Sequence, residues 1–374
     1  MRVYLDNAAT TMTAPEVVAE MKRFFSEEYA NPASLHTMGQ HAKEATEKAR
    51  ESIAKAINAE PEEIIFTSGG TESDNLAIKG INAGHIITTK IEHPAVLESC
   101  RALEKKGTKI TYLDVDPEGL IDLEQLKDSI NKGTGLVTIM AANNEIGTIL
   151  PLEKIGAICK ERGVPFHTDA VQALGKVPID VKAMNIDMLS ASAHKIHGPK
   201  GMGILYVKKG IKLIPSIHGG GHEHGMRSGT GNTAGIMGMA KAIELMQEKN
   251  NMQELRDMLI KGLLEIPETR LNGPRQKRLC NNVNVAFKYI EGEGILLYLD
   301  EAGISVSTGS ACSSLSLKPS HVLLALGLKP EESHGSIRFS LSRYTTKAEI
   351  QYTIEETKKV VKRLRELSPF GKED

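Results

Sequence analysis

Short apolar runs recur along the chain at Ile64–Thr67, His85–Thr89, Lys109–Val115, Leu136–Ala141, Val164–Thr168, Met188–Ala193 and Gly203–Val207. Runs of this length, rich in β-branched residues, predict strands buried on both faces. Segments with helical spacing lie between them. Ala14–Phe25 carries Val17, Val18, Met21, Phe24 and Phe25 on one face, with Thr13 as the expected N-cap. His41–Ile57 reads as an alanine-rich helix with Ala45, Ala49 and Ile53 on one side. Asp74–Lys79, Pro94–Lys105, Leu123–Ile130 and Leu152–Arg162 read as further helices. Strands alternating with helices predict an α/β protein with a mostly parallel sheet flanked by helices. Beyond a polar helical region, Glu244–Leu264, the rhythm changes. Strands Asn282–Phe287 and Ser336–Leu341 alternate with helices Gly294–Ala302 and Ala348–Leu367, the pattern of a smaller α+β unit. The expected division is a large domain over 13–260 and a small domain built from 1–12 and 261–374.

Composition narrows the function classes. The 374 residues carry a net charge of −1, so no basic field invites nucleic acid. No apolar run reaches the roughly 18 residues that a membrane span needs. The N-terminal MRVYLDNAATT lacks the hydrophobic region of a signal peptide. Cys100, Cys159, Cys280 and Cys312 are scattered with no CxxC pair, which argues against a disulfide framework. The expectation is a cytoplasmic protein.

In open α/β sheets ligands bind beyond the carboxyl ends of strands, so the residues that follow each strand matter most. TSGGTES, residues 67–73, offers glycines and a helix start with free N–H groups. It reads as a phosphate cradle or as a plain glycine turn. It is neither a P-loop nor a GxGxxG fingerprint. Asp169 and Gln172 follow another strand. Asp169 can cap a helix, or it can face a protonated heterocycle nitrogen while Gln172 bonds an adjacent oxygen. Lys195, in SASAHKIHGPKG, has three readings: a snorkelling surface lysine, a neighbour of a metal held by His194 and His197, or a covalent amine. Metal-site HExxH and esterase GxSxG patterns are both absent, although HGGG occurs at 218–221. A lysine beside a phosphate cradle and a carboxylate meets the needs of pyridoxal phosphate chemistry, with Ser192 and His194 as added phosphate donors.

Ten segments in order carry a resemblance that spans nearly the whole chain. They are YLDNAATT, NPAS, FTSGGTESDN, EHPAV, NNEIGT, HTDAVQ, SASAHKIHGPKG, HGGGHEHGMRSGT, STGSACSS and SIRFSLSRYTT. Together they resemble the cysteine desulfurases of the NifS/IscS type, in the class-V aminotransferase group of pyridoxal phosphate enzymes. The resemblance implies the fold-type I architecture with a seven-stranded large sheet. It also implies the residue roles. Lys195 matches the Schiff-base lysine. Gly70, Thr71, Ser192 and His194 match phosphate-binding positions, and Thr230 matches the residue that reaches the phosphate from the other subunit of a homodimer. His93 matches the histidine stacked on the cofactor ring and assisting proton transfer. Asp169 and Gln172 match the ring nitrogen and ring hydroxyl contacts. Asn144 and Arg338 match residues near the substrate carboxylate. Cys312 matches the sulfur-accepting cysteine.

Two of these residues also stand on their own chemistry. Arg338 lies between Ile337 and Phe339 in a predicted strand, and a buried arginine requires a partner: a substrate carboxylate or an internal salt bridge. Cys312 sits among Ser, Gly and Ala in a loop ill suited to bury a structural thiol. The loop resembles the longer cysteine loop of the NifS/IscS group, whereas the short RxGxHC segment of the SufS-like group is absent. The resemblance implies conversion of L-cysteine to L-alanine with a persulfide left on Cys312. It further implies sulfur delivery to an IscU-like iron–sulfur scaffold, where Cys312 can act as a transient metal ligand. Lyases acting on selenocysteine or cysteine sulfinate, and a non-catalytic scaffold or metal-binding protein, are the competing readings. His224 stands where relatives often carry arginine, and Leu315 makes the cysteine loop more apolar.

Overall fold

A computed structural model describes residues 1–248, 250–308 and 319–369. Its large sheet has seven strands in the order Ile64–Thr67, Gly203–Val207, Met188–Ser192, Phe166–Asp169, Thr134–Thr138, His85–Thr89, Lys109–Leu113. Gly203–Val207 is antiparallel to both of its neighbours, and the remaining pairings are parallel. Along these strands successive side chains alternate between two apolar clusters. Ile64, Phe66, Ile87, Val137, Leu189 and Ile204 join one. Ile65, Ile86, Leu136, Met188 and Leu205 join the other. Both faces are therefore filled, which is why the strands read as unbroken apolar runs.

Several boundaries differ from expectation. The helix expected from Asp74 begins at Gly70, so TSGGTES contains its first turn. The strand expected over Leu136–Ala141 is Thr134–Thr138. Beyond it the chain stays hydrogen-bonded without regular pairing, as when Ala141 N donates to Asp169 O at 2.8 Å. Helix Pro15–Ser26 is capped by Ala14 without a side-chain bond, while the Thr13 hydroxyl donates to Gly198 O. The polar region Glu244–Leu264 is divided between helices Thr233–Met246 and Met252–Leu264. Asn250 Oδ1 accepts from Met252 N at 3.2 Å, a local bond that competes with a continuous helix.

A second sheet orders Ser307–Thr308, Ser336–Ser340, Asn282–Phe287 and Thr269–Leu271, all antiparallel. Its core joins Leu255, Leu259, Val283, Phe287, Ile337, Phe339 and Ile350 with Val3 and Leu5 from the start of the chain. Strand Val3–Tyr4 lies parallel to Ile304–Ser305. The segment carrying Val322, Leu323 and Leu326 packs instead on the first core. Among the described residues no helix is long and apolar enough to cross a membrane. Cys312 lies outside the described residues.

Candidate active site

The polar segments that follow the large-sheet strands converge on one cavity of about 320 Å³ and an adjoining hollow of about 390 Å³. The hollow is lined by Ser68, Gly70, Thr71, Ser192, His194 and Lys200. Gly69 reaches it at φ +152°, a backbone conformation that L side chains rarely adopt. Ser73 Oγ donates to Gly69 O at 3.1 Å and to Ile204 O at 2.9 Å, pinning the turn to the strand beside it. The N-terminus of helix Gly70–Gly80 thus presents backbone N–H groups to the hollow, beside hydroxyls and the Lys200 ammonium. That donor set suits a phosphate dianion. His194 Nδ1 lies 3.1 Å from the Thr10 hydroxyl. Burial, then Lys195 and Lys200, pushes its imidazole down to about 4, so it is neutral at pH 7.

The main cavity holds the ionisable groups. Strand Met188–Ser192 passes into a single 3₁₀ turn, Ala193–Lys195, one residue earlier than expected. The turn aims Lys195 Nζ at Ala8 O, 2.6 Å, and Ala9 O, 2.7 Å. Asp169 ends its strand and accepts from Val171 N at 2.9 Å through Oδ1. Its carboxyl is raised by burial, with His93 and Lys195 opposing the shift. Gln172 Nε2 donates to Ala8 O at 2.9 Å. His93 caps helix Pro94–Glu104, its Nδ1 accepting from Ala95 N at 3.1 Å. A proton on its neutral ring therefore sits on Nε2. Burial lowers the His93 imidazole, and the charge of Asp169 partly offsets this.

Arg338 reaches the cavity from the second sheet. Nη2 pairs with Asp6 Oδ1 at 2.9 Å and Nη1 donates to Asn144 O at 3.2 Å. The internal salt bridge is thus present. Nε is buried without a hydrogen-bond partner among the described residues. Asn144 lines the same cavity.

Gly70, Thr71, His93, Asn144, Asp169, Gln172, Ser192, His194, Lys195 and Arg338 therefore share one cavity. Thr230 is exposed and lies outside its lining. His197, half of the HxxH pattern, bonds Met12 O through Nδ1 at 2.8 Å and packs edge-on against Tyr344. Cys100 and Cys159 are buried with thiols pushed up to about 12, which suits inert packing residues.

Sequence reasoning missed three contributors. The carbonyls of Ala8 and Ala9 carry no side-chain signal. Lys176 is half-buried and donates to Gln172 O at 3.1 Å and Lys195 O at 3.3 Å. Asp74 lines the cavity, 1% exposed, although its sequence context reads as an acidic residue in a helix. Ligand atoms of Asp74, His93 and Asp169 all lie within 4.8 Å of one another. Burial raises both carboxyls, and His93, Val171 N and Lys195 oppose the shift only at Asp169.

The class-V aminotransferase family matches residues 3–353. A cysteine desulfurase IscS of Clostridium botulinum is 54% identical over 99% of this chain and 96% of its own. A solved NifS-like protein superimposes with a TM-score of 0.91 at 41% identity, over 97% of this chain and 100% of the other. A structure of SspA in complex with cysteine gives 0.84 at 40% identity, over 92% of this chain and 100% of the other. The chain belongs to the class-V aminotransferase family and, within it, to the cysteine desulfurases of the NifS/IscS type.

Proposed function

We propose that the chain is a pyridoxal phosphate-dependent cysteine desulfurase that converts L-cysteine to L-alanine and leaves the sulfur as a persulfide on Cys312. The carrying observation is the shared cavity. It has a phosphate-type donor set at one end, Lys195 in the middle, and buried Asp169 as an acceptor for a protonated ring nitrogen. The residues fit the cofactor. Gly70, Thr71, Ser192 and His194 would hold its phosphate, His93 would stack on its ring, and Asp169 and Gln172 would meet its nitrogen and hydroxyl. Bound there, pyridoxal phosphate supplies an aldehyde that reacts with amines and a ring that accepts electron density from an adjacent carbon.

The chain's residues do the rest. Arg338 and Asn144, which line the cavity, orient the substrate carboxylate. The Lys195 amine takes the proton from the substrate Cα, and His93 Nε2 assists its transfer. The Cys312 thiolate attacks the substrate sulfur. One S–S bond forms, the C–S bond breaks, and the carbon is reprotonated to alanine. Thr230 would complete the phosphate site of a second copy, making the active form a homodimer. The persulfide would pass to an IscU-like scaffold for iron–sulfur cluster assembly, where Cys312 would be a transient ligand of the cluster. We assign the enzyme to the cytoplasm.

Mass spectrometry of the Cys312 peptide after exposure to L-cysteine should show one added sulfur atom in the wild type and none in Lys195→Ala. Cys312→Ser should keep cofactor binding and lose sulfur transfer. Unmodified Cys312 beside continued alanine release would refute the assignment. Alanine release from cysteine, selenocysteine and cysteine sulfinate compared side by side identifies the preferred substrate.

A further inference from the structure

We infer that Asp74 is a positioning residue that stays protonated beside Asp169, so that the two buried carboxyl groups carry a single negative charge at the cavity floor. Asp74 is 1% and Asp169 6% exposed, and both line the cavity. Their nearest oxygens lie within 4.8 Å. Two buried carboxylates this close disfavour one another's ionisation.

The surrounding charges decide which one keeps the proton. His167 Nδ1 lies 2.8 Å from the Thr138 hydroxyl, and His167 Nε2 lies 3.0 Å from the Ser190 hydroxyl and 3.7 Å from Asp74 Oδ1. Burial pushes His167 down to about 3, so it is neutral and brings Asp74 no positive charge. Ser190 donates to Asp74 and lowers its carboxyl, which offsets only part of the effect of burial. Oδ1 has no hydrogen-bond partner among the described residues, and a proton there would give it a donor's role. Asp169, by contrast, accepts from Val171 N and faces His93 and Lys195, contacts that favour its anion.

The other groups around Asp74 do not reverse this. Glu92, ahead of helix Pro94–Glu104, is raised by burial to about 8 and so is largely neutral at pH 7. Burial, followed by the charge of Asp169, raises Asp74 well above the ordinary carboxyl range.

In the cofactor-free protein the inference is independent of any ligand. In the loaded enzyme it rests on the proposed contact of Asp169 with the ring nitrogen. Carbon-13 labelling of aspartate carboxyl groups tests both states by NMR. The resonance missing from Asp74→Asn should sit at the protonated position at pH 7, with and without pyridoxal phosphate. An ionised signal at pH 7, or one titrating near the ordinary value of about 4, overturns the inference. Spectrophotometric titration supplies the second readout. Asp74→Asn keeps a neutral donor beside Asp169 and should bind pyridoxal phosphate within about threefold of wild type. Asp74→Leu lacks that donor and should bind at least tenfold more weakly. Equal binding by the two variants overturns the positioning role. Loss of binding in wild type with a protonated Asp74 signal would instead count against the cofactor reading alone.

Discussion

Lys176 shows how a half-buried ammonium is held next to Lys195. Its ammonium touches the backbone carbonyls of Gln172 and Lys195, tying together the turns that follow two different strands. Burial pushes it down to about 8. A lysine depressed on folding costs stability while it is charged, and the cost is relieved as pH rises from its folded toward its unfolded value. Wild-type stability relative to Lys176→Met should therefore increase between pH 8 and 10.5, read as the difference in urea midpoint. Arg338 invites a separate test. Lysine cannot reproduce the planar fork that serves Asp6 and Asn144. Arg338→Lys should raise KM for L-cysteine at least tenfold in steady-state alanine release. At this scale the sequence was legible where a residue is out of place for its type, as with Lys195 at a strand end or Arg338 between Ile337 and Phe339. Asp74 was not legible, because an acidic residue near a helix start is favoured on any solvated surface. Only its burial marks it.

At the scale of elements, the segment from Ile217 to Thr230 is bolted to the phosphate end of the cavity by two ion pairs. Glu223 accepts from both Nη atoms of Arg50, at 2.9 and 3.1 Å, and from Phe66 N at 2.9 Å. Arg227 Nε donates to Glu72 Oε1 at 2.8 Å, and Glu72 Oε2 accepts from Ser68 N at 2.8 Å. Glu223 and His224 both adopt left-handed φ, 48° and 56°, a strain the anchors must hold. Arg50→Met would strand the carboxylate of Glu223 and should cost about 3 kcal/mol or more in urea unfolding. Adding Glu223→Gln should recover part of that loss. Strands were legible because both faces of the large sheet are buried, leaving little freedom in their composition. The start of helix Gly70–Gly80 was hidden by its two glycines, which favour a turn until tertiary packing decides otherwise.

Across the whole molecule the buried ionisable groups set a pH profile. Glu92 and Glu145 are raised by burial to about 8 and about 7. Groups raised on folding contribute stability that is complete below about pH 4.5 and is lost as pH rises through those values. His167 and His194, lowered to about 3 and about 4, do the reverse, and their contribution is lost as pH falls below 6.5. The urea midpoint of the cofactor-free protein should thus decline from pH 6.5 to 8. Glu92→Gln should flatten that decline. The seven-stranded sheet and the second, smaller sheet were legible from changing periodicity. The docking of Val3–Leu5 on the smaller core was not, because its contacts join residues hundreds of positions apart. Val3 and Tyr4 pair with Ile304 and Ser305, and Leu5 O accepts from Ser340 N. Residues 6–9 continue from that strand to Arg338 and Lys195. During synthesis, then, Val3–Leu5 must wait for Ile304–Ser340 before they find these partners. Lys195 acquires its carbonyl acceptors late in folding, and a ribosome-bound chain ending short of Ser340 would display the large sheet without a finished site.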